Sequence, residues 1–198
     1  MSRGSTRGTG RPPHDAGVLL VDDMEDNLVA LEAVLSTLHV PLARAASGAE
    51  AVTVLEREEI ALVLLDVAMP GMDGFETARC LKRSDRTKDL PVIFLTGPHA
   101  TRESGFSFRG YATGTVDYVP KPFDPWVLRT KVSVFLDLDR KSRRLCQLLT
   151  EEQYRLDDFA RRLEAVEAHL AADGGTDTAR LARDVGHLAD TLNELRGV

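Results

Sequence analysis

The sequence predicts an α/β fold, in which a doubly wound parallel sheet of five strands is followed by a long α-helical extension. Three observations predict it. Short apolar runs alternate with segments whose apolar residues are spaced three or four apart, which is the alternation of strands and helices in a doubly wound sheet. Several of these runs end abruptly in polar or charged side chains. From Phe135 onward the apolar spacing becomes a heptad repeat, which is typical of a coiled coil.

Length and composition limit the possible classes of protein. With 198 residues, 43% of them hydrophobic, the chain is long enough for one well-cored domain and an extension. The formal net charge of −6 and the pI near 5.4 argue against a basic surface for nucleic acid or membranes. No apolar stretch has the length of a membrane span and no signal peptide is recognisable, so we expect a cytoplasmic protein. Residues 1–16 lack apolar periodicity and are predicted to form a disordered tail.

The first part of the chain carries two strand patterns and two helix patterns. Leu28, Leu31 and Leu35 have helical spacing, and Asp26 is the expected N-cap of that helix. Ser47 is the expected N-cap of the next helix, whose apolar stripe begins at Ala51 and Val52. The predicted elements are a strand at 18–21, a helix at 27–38, a short strand at 40–45 and a helix at 48–58.

The most apolar run of the chain lies at its centre. Residues 60–65 are all aliphatic, which is typical of a parallel strand buried on both faces, and the run stops at Asp66. Gly71 and Gly74 follow, and we expect them to supply the backbone freedom that the loop after Asp66 needs. The remaining predicted elements are a helix at 75–83, a strand at 91–95, a helix within 101–114 that contains two glycines, and a strand at 115–119.

Polar side chains stand at the ends of four of the predicted strands. If the strands are parallel and adjacent, these side chains converge on one rim of the sheet, where open α/β sheets bind ligands. Carboxylates packed closely together repel one another unless a cation lies between them, and hard oxygen ligands select Mg²⁺ or a similar ion. The rim is therefore a predicted site for a divalent metal and a phosphoryl group. Its side chains are those of Asp22, Asp23, Asp66, Thr96 and Lys121.

These residues, in this order and at these strand ends, resemble the receiver domain of two-component response regulators. The resemblance covers about residues 17–138 and includes the MPGMDG turn after Asp66. It implies a flavodoxin-like receiver fold. It also implies that Asp66 accepts a phosphoryl group from a sensor histidine kinase, and that the protein then signals to a downstream protein partner.

The same resemblance assigns roles to the other residues of the rim. It implies that Asp23 binds Mg²⁺ directly, that Asp22 binds it through water, and that Asp66 and the main-chain carbonyl of Ala68 complete the protein ligands. Lys121 is implied to contact a phosphoryl oxygen, and the Lys121–Pro122 bond to be cis. Thr96 and Tyr118 are implied to be the switch, which biases a surface formed by the last two helices of the receiver.

The extension, residues 139–198, carries the heptad repeat. An apolar stripe of this length has to be buried, so we expect a homodimer through a coiled coil. Asp173-Gly174-Gly175 predicts a break near 173–176, and a second stripe from Leu181 to Leu195 offers an alternative, an intramolecular helical hairpin. The first stripe consists of Phe135, Leu138, Leu145, Leu149, Leu156, Phe159, Leu163, Val166 and Leu170.

Two other functions remain to be compared with the receiver. A phosphohydrolase of the haloacid-dehalogenase type also uses a strand-end Asp with Mg²⁺, but it needs a second Asp two residues later, and this chain has Ala68 there. A DNA-binding regulator needs a helix-turn-helix, which the acidic, coiled-coil-like extension does not supply. We therefore predict a response regulator that is not an enzyme and does not bind nucleic acid.

Overall fold

The computed structural model describes residues 16–97, 117–172 and 185–186. Its sheet has five strands in the order β2-β1-β3-β4-β5, and every neighbouring pair is parallel. The predicted fold class is therefore confirmed. The strands are β1 Gly17–Val21, β2 Leu42–Ala45, β3 Ile60–Asp66, β4 Val92–Thr96 and β5 Asp117–Pro120.

Helices cover both faces of the sheet. On one face, α2 and α3 pack through Ala51, Leu55 and Phe75 against alternate side chains of the strands. On the other face, α1 and the first turns of α4 pack through residues such as Leu31 and Leu128. Both faces of β3 are thus buried, as its unbroken apolar run predicts. The helices are α1 Glu25–Leu35, α2 Gly48–Arg57, α3 Gly74–Arg83 and α4 Pro125–Ala172.

The predicted N-cap of the first helix is wrong. Met24 occupies that position without a side-chain cap, and Asp26 lies inside the first turn of α1. The reason is that the side chain of Asp22 organises this turn: its Oδ1 accepts hydrogen bonds from the backbone N–H of Met24 at 3.0 Å and from the amide of Asn27 at 2.8 Å. The helix therefore starts two residues earlier than expected. It also ends earlier, at Leu35, and a 3-10 helix follows over Ser36–Leu38.

The caps of the next two helices follow simple side-chain chemistry. Ser47 caps α2 as predicted, with its hydroxyl accepting from the N–H of Glu50 at 3.2 Å. Asp73, which the sequence analysis overlooked, caps α3 by accepting from the N–H of Glu76 at 2.7 Å. Because this cap precedes Gly74, α3 begins at Gly74 and not at Phe75.

The two glycines of the loop after β3 are needed for different reasons. Gly71 has a φ of +78°, which confirms the expected need for backbone freedom. The expectation for Gly74 is wrong, because Gly74 shows no such φ. A Cβ there would lie only 2.2 Å from the carbonyl oxygen of Asp66, so Gly74 is required because α3 approaches the backbone of β3 closely.

The helix α4 is 48 residues long and begins directly after the loop that follows β5. The chain divides into two compact units, residues 1–140 and 141–198. No helix in the described ranges is both long and apolar enough to cross a membrane. Ala16, the last residue of the predicted tail, is buried, but residues 1–15 lie outside the described part. The predicted helix within 101–114, the break near 173–176 and most of the second stripe also lie outside it.

Candidate functional site

Three of the predicted side chains meet at the carboxyl end of the sheet. The ammonium of Lys121 lies 2.7 Å from Oδ2 of Asp22 and 2.7 Å from Oδ1 of Asp66. Asp22 follows β1 and Asp66 ends β3, and these strands are neighbours in the sheet. The order of the strands reverses between β1 and β3, so the cluster occupies the crevice where doubly wound sheets bind ligands.

Asp66 is held in place by its own strand and by the loop after it. The backbone of β3 continues its ladder past Asp66, since the N–H of Val67 donates to the carbonyl of Leu95 at 3.2 Å. The side chain is 8% exposed, and its Oδ2 accepts a hydrogen bond from the N–H of Ala68 at 3.2 Å. The carboxylate therefore keeps a fixed direction at the floor of the crevice.

The carboxylates of Asp22, Asp23 and Asp66 can each place an oxygen within 4.8 Å of the others. Asp22 is fully buried, whereas Asp23 is exposed. The ammonium of Lys121 contacts two of these three carboxylates. The four side chains therefore keep an excess of negative charge, and their hard oxygen donors suit a small divalent cation. These residues fit the metal that the sequence predicts, and the exposure of Asp23 leaves one side of the group open to solvent.

The backbone of Lys121 is hydrogen-bonded to the end of β4. Its backbone N–H donates to the carbonyl of Thr96 at 2.6 Å, and the Lys121–Pro122 peptide bond is cis, as expected. Burial by itself lowers the pKa of Lys121, but the hydrogen bonds and charges of Asp22 and Asp66 outweigh that effect and raise its pKa. The side chain is therefore a permanent cation in the neutral pH range.

The two predicted switch residues lie on neighbouring strands. Thr96 ends β4 and is 1% exposed. Tyr118 lies on β5 opposite Phe94, with the ring centroids 5.9 Å apart, and its hydroxyl is buried. Phe94 in turn stacks edge-on with Phe75 of α3, at 4.9 Å. The hydroxyl of Tyr118 is thus buried, and its ring is linked to α3 through the ring of Phe94.

One functional contact escaped the sequence analysis. Asn27, in the first turn of α1, donates to the same Asp22 oxygen that accepts from Met24. Its position five residues after Asp22 places it on the inner side of the turn, but an Asn in a helix carries no distinctive sequence signal. Because Asn27 binds Oδ1 of Asp22, Oδ2 remains available to the ammonium of Lys121. The contact also fixes the direction of the carboxylate.

Comparison with known proteins agrees with this geometry. Residues 18–133 match the family model described as the response regulator receiver domain. The chain is 37% identical over 117 residues to the response regulator PleD of Caulobacter vibrioides, covering 59% of this chain and 25% of PleD. It is 34% identical to a probable cyclic di-GMP phosphodiesterase of Vibrio cholerae, covering 73% of this chain and 31% of that protein. Other relatives are named as transcriptional regulatory proteins.

A solved structure supports the same likeness. The crystal structure of a putative response regulator from Chloroflexus aurantiacus superposes with a TM-score of 0.56 at 31% identity, covering 62% of this chain and 98% of the other. By contrast, the chain spans only about a quarter to a third of the length of the two relatives above. The likeness therefore concerns the sheet and its helices.

Proposed function

The chain belongs to the response regulator receiver domain family, and on that premise we propose that Asp66 accepts a phosphoryl group from a sensor histidine kinase. The observation that carries the proposal is the position of the Asp66 carboxylate. It is fixed at the end of β3, 2.7 Å from the ammonium of Lys121 and within one carboxylate group with Asp22 and Asp23. A nucleophile, a cation and metal ligands are the parts that phosphoryl transfer requires.

The chemistry follows from these contacts. An Asp66 oxygen attacks the phosphorus of the phosphohistidine, the P–N bond breaks, and the imidazole leaves with the electron pair, so an acyl phosphate forms on Asp66. Lys121 neutralises charge on the transferring group because its ammonium already lies beside the attacking carboxylate. Mg²⁺, when bound, supplies further neutralisation. We assign it to Asp22, Asp23, Asp66 and the main-chain carbonyl of Ala68.

Thr96 and Tyr118 are the proposed switch. A phosphoryl group on Asp66 adds negative charge and acceptor oxygens close to the end of β4, where the hydroxyl of Thr96 offers a hydrogen bond. Movement of Thr96 changes the space behind it, into which the ring of Tyr118 packs against Phe94. The state of Asp66 would then bias the surface near β5 and the start of α4.

Removal of the metal should stop phosphorylation. With acetyl phosphate as donor, we expect labelling of Asp66 in millimolar Mg²⁺ and loss of nearly all labelling in excess EDTA, because the carboxylates repel the incoming phosphate dianion without a cation. Intact mass spectrometry measures the labelled fraction. Restored labelling after Mg²⁺ is added back is the control, and equal labelling with and without EDTA would contradict the metal assignment.

The receiver is proposed to span residues 17–138, with residues 139–198 as an output module that forms a homodimer. The support is the exposure of large apolar side chains along α4, among them Leu145, Leu149 and Leu156, which are 47–58% exposed in the single chain. A stripe of this kind is buried by association. A downstream protein partner would then recognise the assembled module, and we place the protein in the cytoplasm with the kinase domain that phosphorylates it.

Truncation after Asp139 separates the two modules. We expect the shortened protein to be monomeric by size-exclusion chromatography with light scattering, because it lacks the exposed leucines of the stripe from Leu145 onward. It should still be labelled by acetyl phosphate, since the described side chains of the site all lie before Asp139. The full-length protein, measured at the same micromolar concentration, should be a dimer. A monomeric full-length protein would contradict this assembly.

The alternative to a non-enzymatic output module is an enzymatic output. It is supported by the names of some relatives, which are cyclic di-GMP phosphodiesterases. The receiver itself is not catalytic. Haloacid-dehalogenase chemistry is disfavoured by Ala68, which offers no side-chain acid beside Asp66. We therefore propose that this chain is a non-enzymatic response regulator, and that neither membranes nor nucleic acid are its direct partners.

A further inference from the structure

The edge strand β5 packs against α4 on one face of the sheet. β5 is the last strand of the sheet, and among the described residues it pairs with β4 alone. Tyr118 packs with Phe94 on the face that α2 and α3 cover. Val119, which points to the other face, belongs to the same buried cluster as Leu128 and Val132 of α4. Apolar packing is not directional, so by itself it does not tie a movement of β5 to a movement of α4.

An ionic contact between β5 and α4 does have a direction. Asp117, at the start of β5, forms an ion pair with the ammonium of Lys131 on α4 through its Oδ2. The two side chains are 29% and 33% exposed, so solvent and salt screen this pair less than a pair on the open surface. The other oxygen of Asp117, Oδ1, accepts a hydrogen bond from the backbone N–H of Tyr118 at 2.8 Å. One carboxylate thus binds both the backbone of Tyr118 and the side chain of Lys131.

We propose that the Asp117–Lys131 ion pair couples the position of Tyr118 to α4. In the structure the pair holds the first turns of α4 against β5. When the backbone of Tyr118 moves, its N–H turns, and the Asp117 carboxylate must turn with it or lose the hydrogen bond. Either change moves Oδ2 away from the ammonium of Lys131 and releases α4. The inference deepens the proposed function, because it rests on phosphorylation of Asp66 and on Tyr118 as part of the switch.

The position of Tyr118 in the sheet favours such a movement. Tyr118 lies opposite Phe94, and two residues later Pro120 lies opposite Thr96 at the end of β4. Because β5 is an edge strand, a shift of β5 breaks fewer ladder hydrogen bonds than a shift of a central strand. Pro120 has no backbone N–H to donate to the ladder, which weakens the pairing beside Thr96. A response of Thr96 to a phosphoryl group on Asp66 can therefore displace β5 at low cost.

Lys131 differs from Arg140, farther along α4, in where its ionic partner lies. Arg140 pairs with Asp137, three residues away on the same helix, at 3.2 Å. The positions three and four residues before and after Lys131 are all apolar, so the neighbouring turns of α4 offer it no carboxylate. Lys131 is bound instead to Asp117 on the sheet. Once this contact is lost, the adjacent turns of α4 contain no acid that could replace Asp117.

Hydrogen–deuterium exchange of the full-length protein tests the proposal, because it measures how firmly the first turns of α4 are held. Mass spectrometry follows the amides of residues 128–136, with and without acetyl phosphate and Mg²⁺. For the unaltered protein we expect exchange to be roughly fivefold faster in the phosphorylated state, which corresponds to the loss of one partly buried ion pair. Unchanged or slower exchange in the phosphorylated protein would overturn the proposal.

Lys131→Met removes the ammonium and keeps a long side chain at this position. In this variant we expect exchange that is already about fivefold faster without acetyl phosphate, and that changes by less than about twofold on phosphorylation. If the ion pair only stabilised α4, the effects of the substitution and of phosphorylation would add, and phosphorylation would accelerate exchange a further fivefold or so. That additive result would overturn the proposal. Lys131→Arg keeps the charge and should restore the behaviour of the unaltered protein.

Two controls separate this coupling from the proposed function. Lys88→Met removes a lysine that pairs with Asp85 at 2.9 Å after α3, and it should leave the exchange of α4 as in the unaltered protein. Intact mass spectrometry gives the labelled fraction, and Lys131→Met should be labelled normally because Asp117 lies at the end of β5 away from the site. If no sample is labelled, the phosphoacceptor proposal fails and the coupling with it. If all samples are labelled and the expected differences in exchange are absent, only the coupling fails.

Discussion

Replacing Asp66 with Asn is expected to abolish phosphorylation of the protein by acetyl phosphate or by a kinase. An amide is a poor nucleophile and cannot form an acyl phosphate, and the variant also loses one of the three carboxylates of the metal group. The fold should survive, because the Asn carbonyl oxygen can still accept the hydrogen bond from the N–H of Ala68. Intact mass spectrometry after incubation with acetyl phosphate and Mg²⁺ gives the labelled fraction, and circular dichroism gives the folded state.

A matched control removes an equivalent charge elsewhere. Asp85 has a side chain that is 97% exposed and pairs only with Lys88 three residues away in the contacts that we describe, so Asp85→Asn should be labelled like the unaltered protein. Both variants lose one negative charge, so a difference in their labelled fractions reflects the position of the lost carboxylate and not the change in net charge. Undiminished labelling of a folded Asp66→Asn protein would remove Asp66 as the phosphoacceptor.

The strands and their polar ends were predictable because the sheet is parallel and buried. A strand covered on both faces must be apolar at every position, so β3 appears in the sequence as an unbroken run of apolar residues. The first polar residue after that run, Asp66, marks the rim of the sheet. Five polar residues at four strand ends then predicted a single site. The structure brings Asp22, Asp23, Asp66 and Lys121 together, and this agreement rests on topology more than on local propensity.

Boundaries that depend on tertiary contacts were not predictable in the same way. The short strand β2 begins two residues later than expected, and it is bound to α1 by Arg44, whose guanidinium contacts Glu25 and Glu32. Likewise, the start of α1 depends on hydrogen bonds to the buried carboxylate of Asp22. Such contacts join residues that a periodicity analysis treats separately, so the sequence alone does not show them.

The role of Gly74 also could not be predicted from the sequence. A sequence shows that a glycine is present, but it does not show which atoms a Cβ at that position would contact. Gly74 opens α3, and its N–H donates to the carbonyl of Val67 at 3.0 Å. A Cβ at Gly74 would lie 2.2 Å from the carbonyl oxygen of Asp66 and 2.9 Å from Cα of Val67. Both are backbone atoms, which cannot rotate away. The first turn of α3 therefore sits directly against the residue proposed as phosphoacceptor.

Replacing Gly74 with Ala should consequently affect both stability and phosphorylation. Either α3 or the end of β3 must shift, and overpacking of this kind lowers the free energy of unfolding by about 3 kcal/mol. For a domain of this size we expect the melting temperature to fall by roughly 10 °C. Because the shift displaces the Asp66 carboxylate from Lys121 and the metal ligands, the rate of labelling should fall by about two orders of magnitude even where the protein is folded.

Gly97→Ala is the matched control for stability, since a Cβ at Gly97 meets no heavy atom of the described residues within 4 Å and its φ lies outside the left-handed region. Its melting temperature should stay within about 2 °C of the unaltered protein. Thermal unfolding followed by circular dichroism measures both variants, and labelling of Gly74→Ala is measured well below its melting temperature. If Gly74→Ala melted like Gly97→Ala and were labelled at the unaltered rate, the close packing of α3 on Asp66 would have no role in positioning the carboxylate.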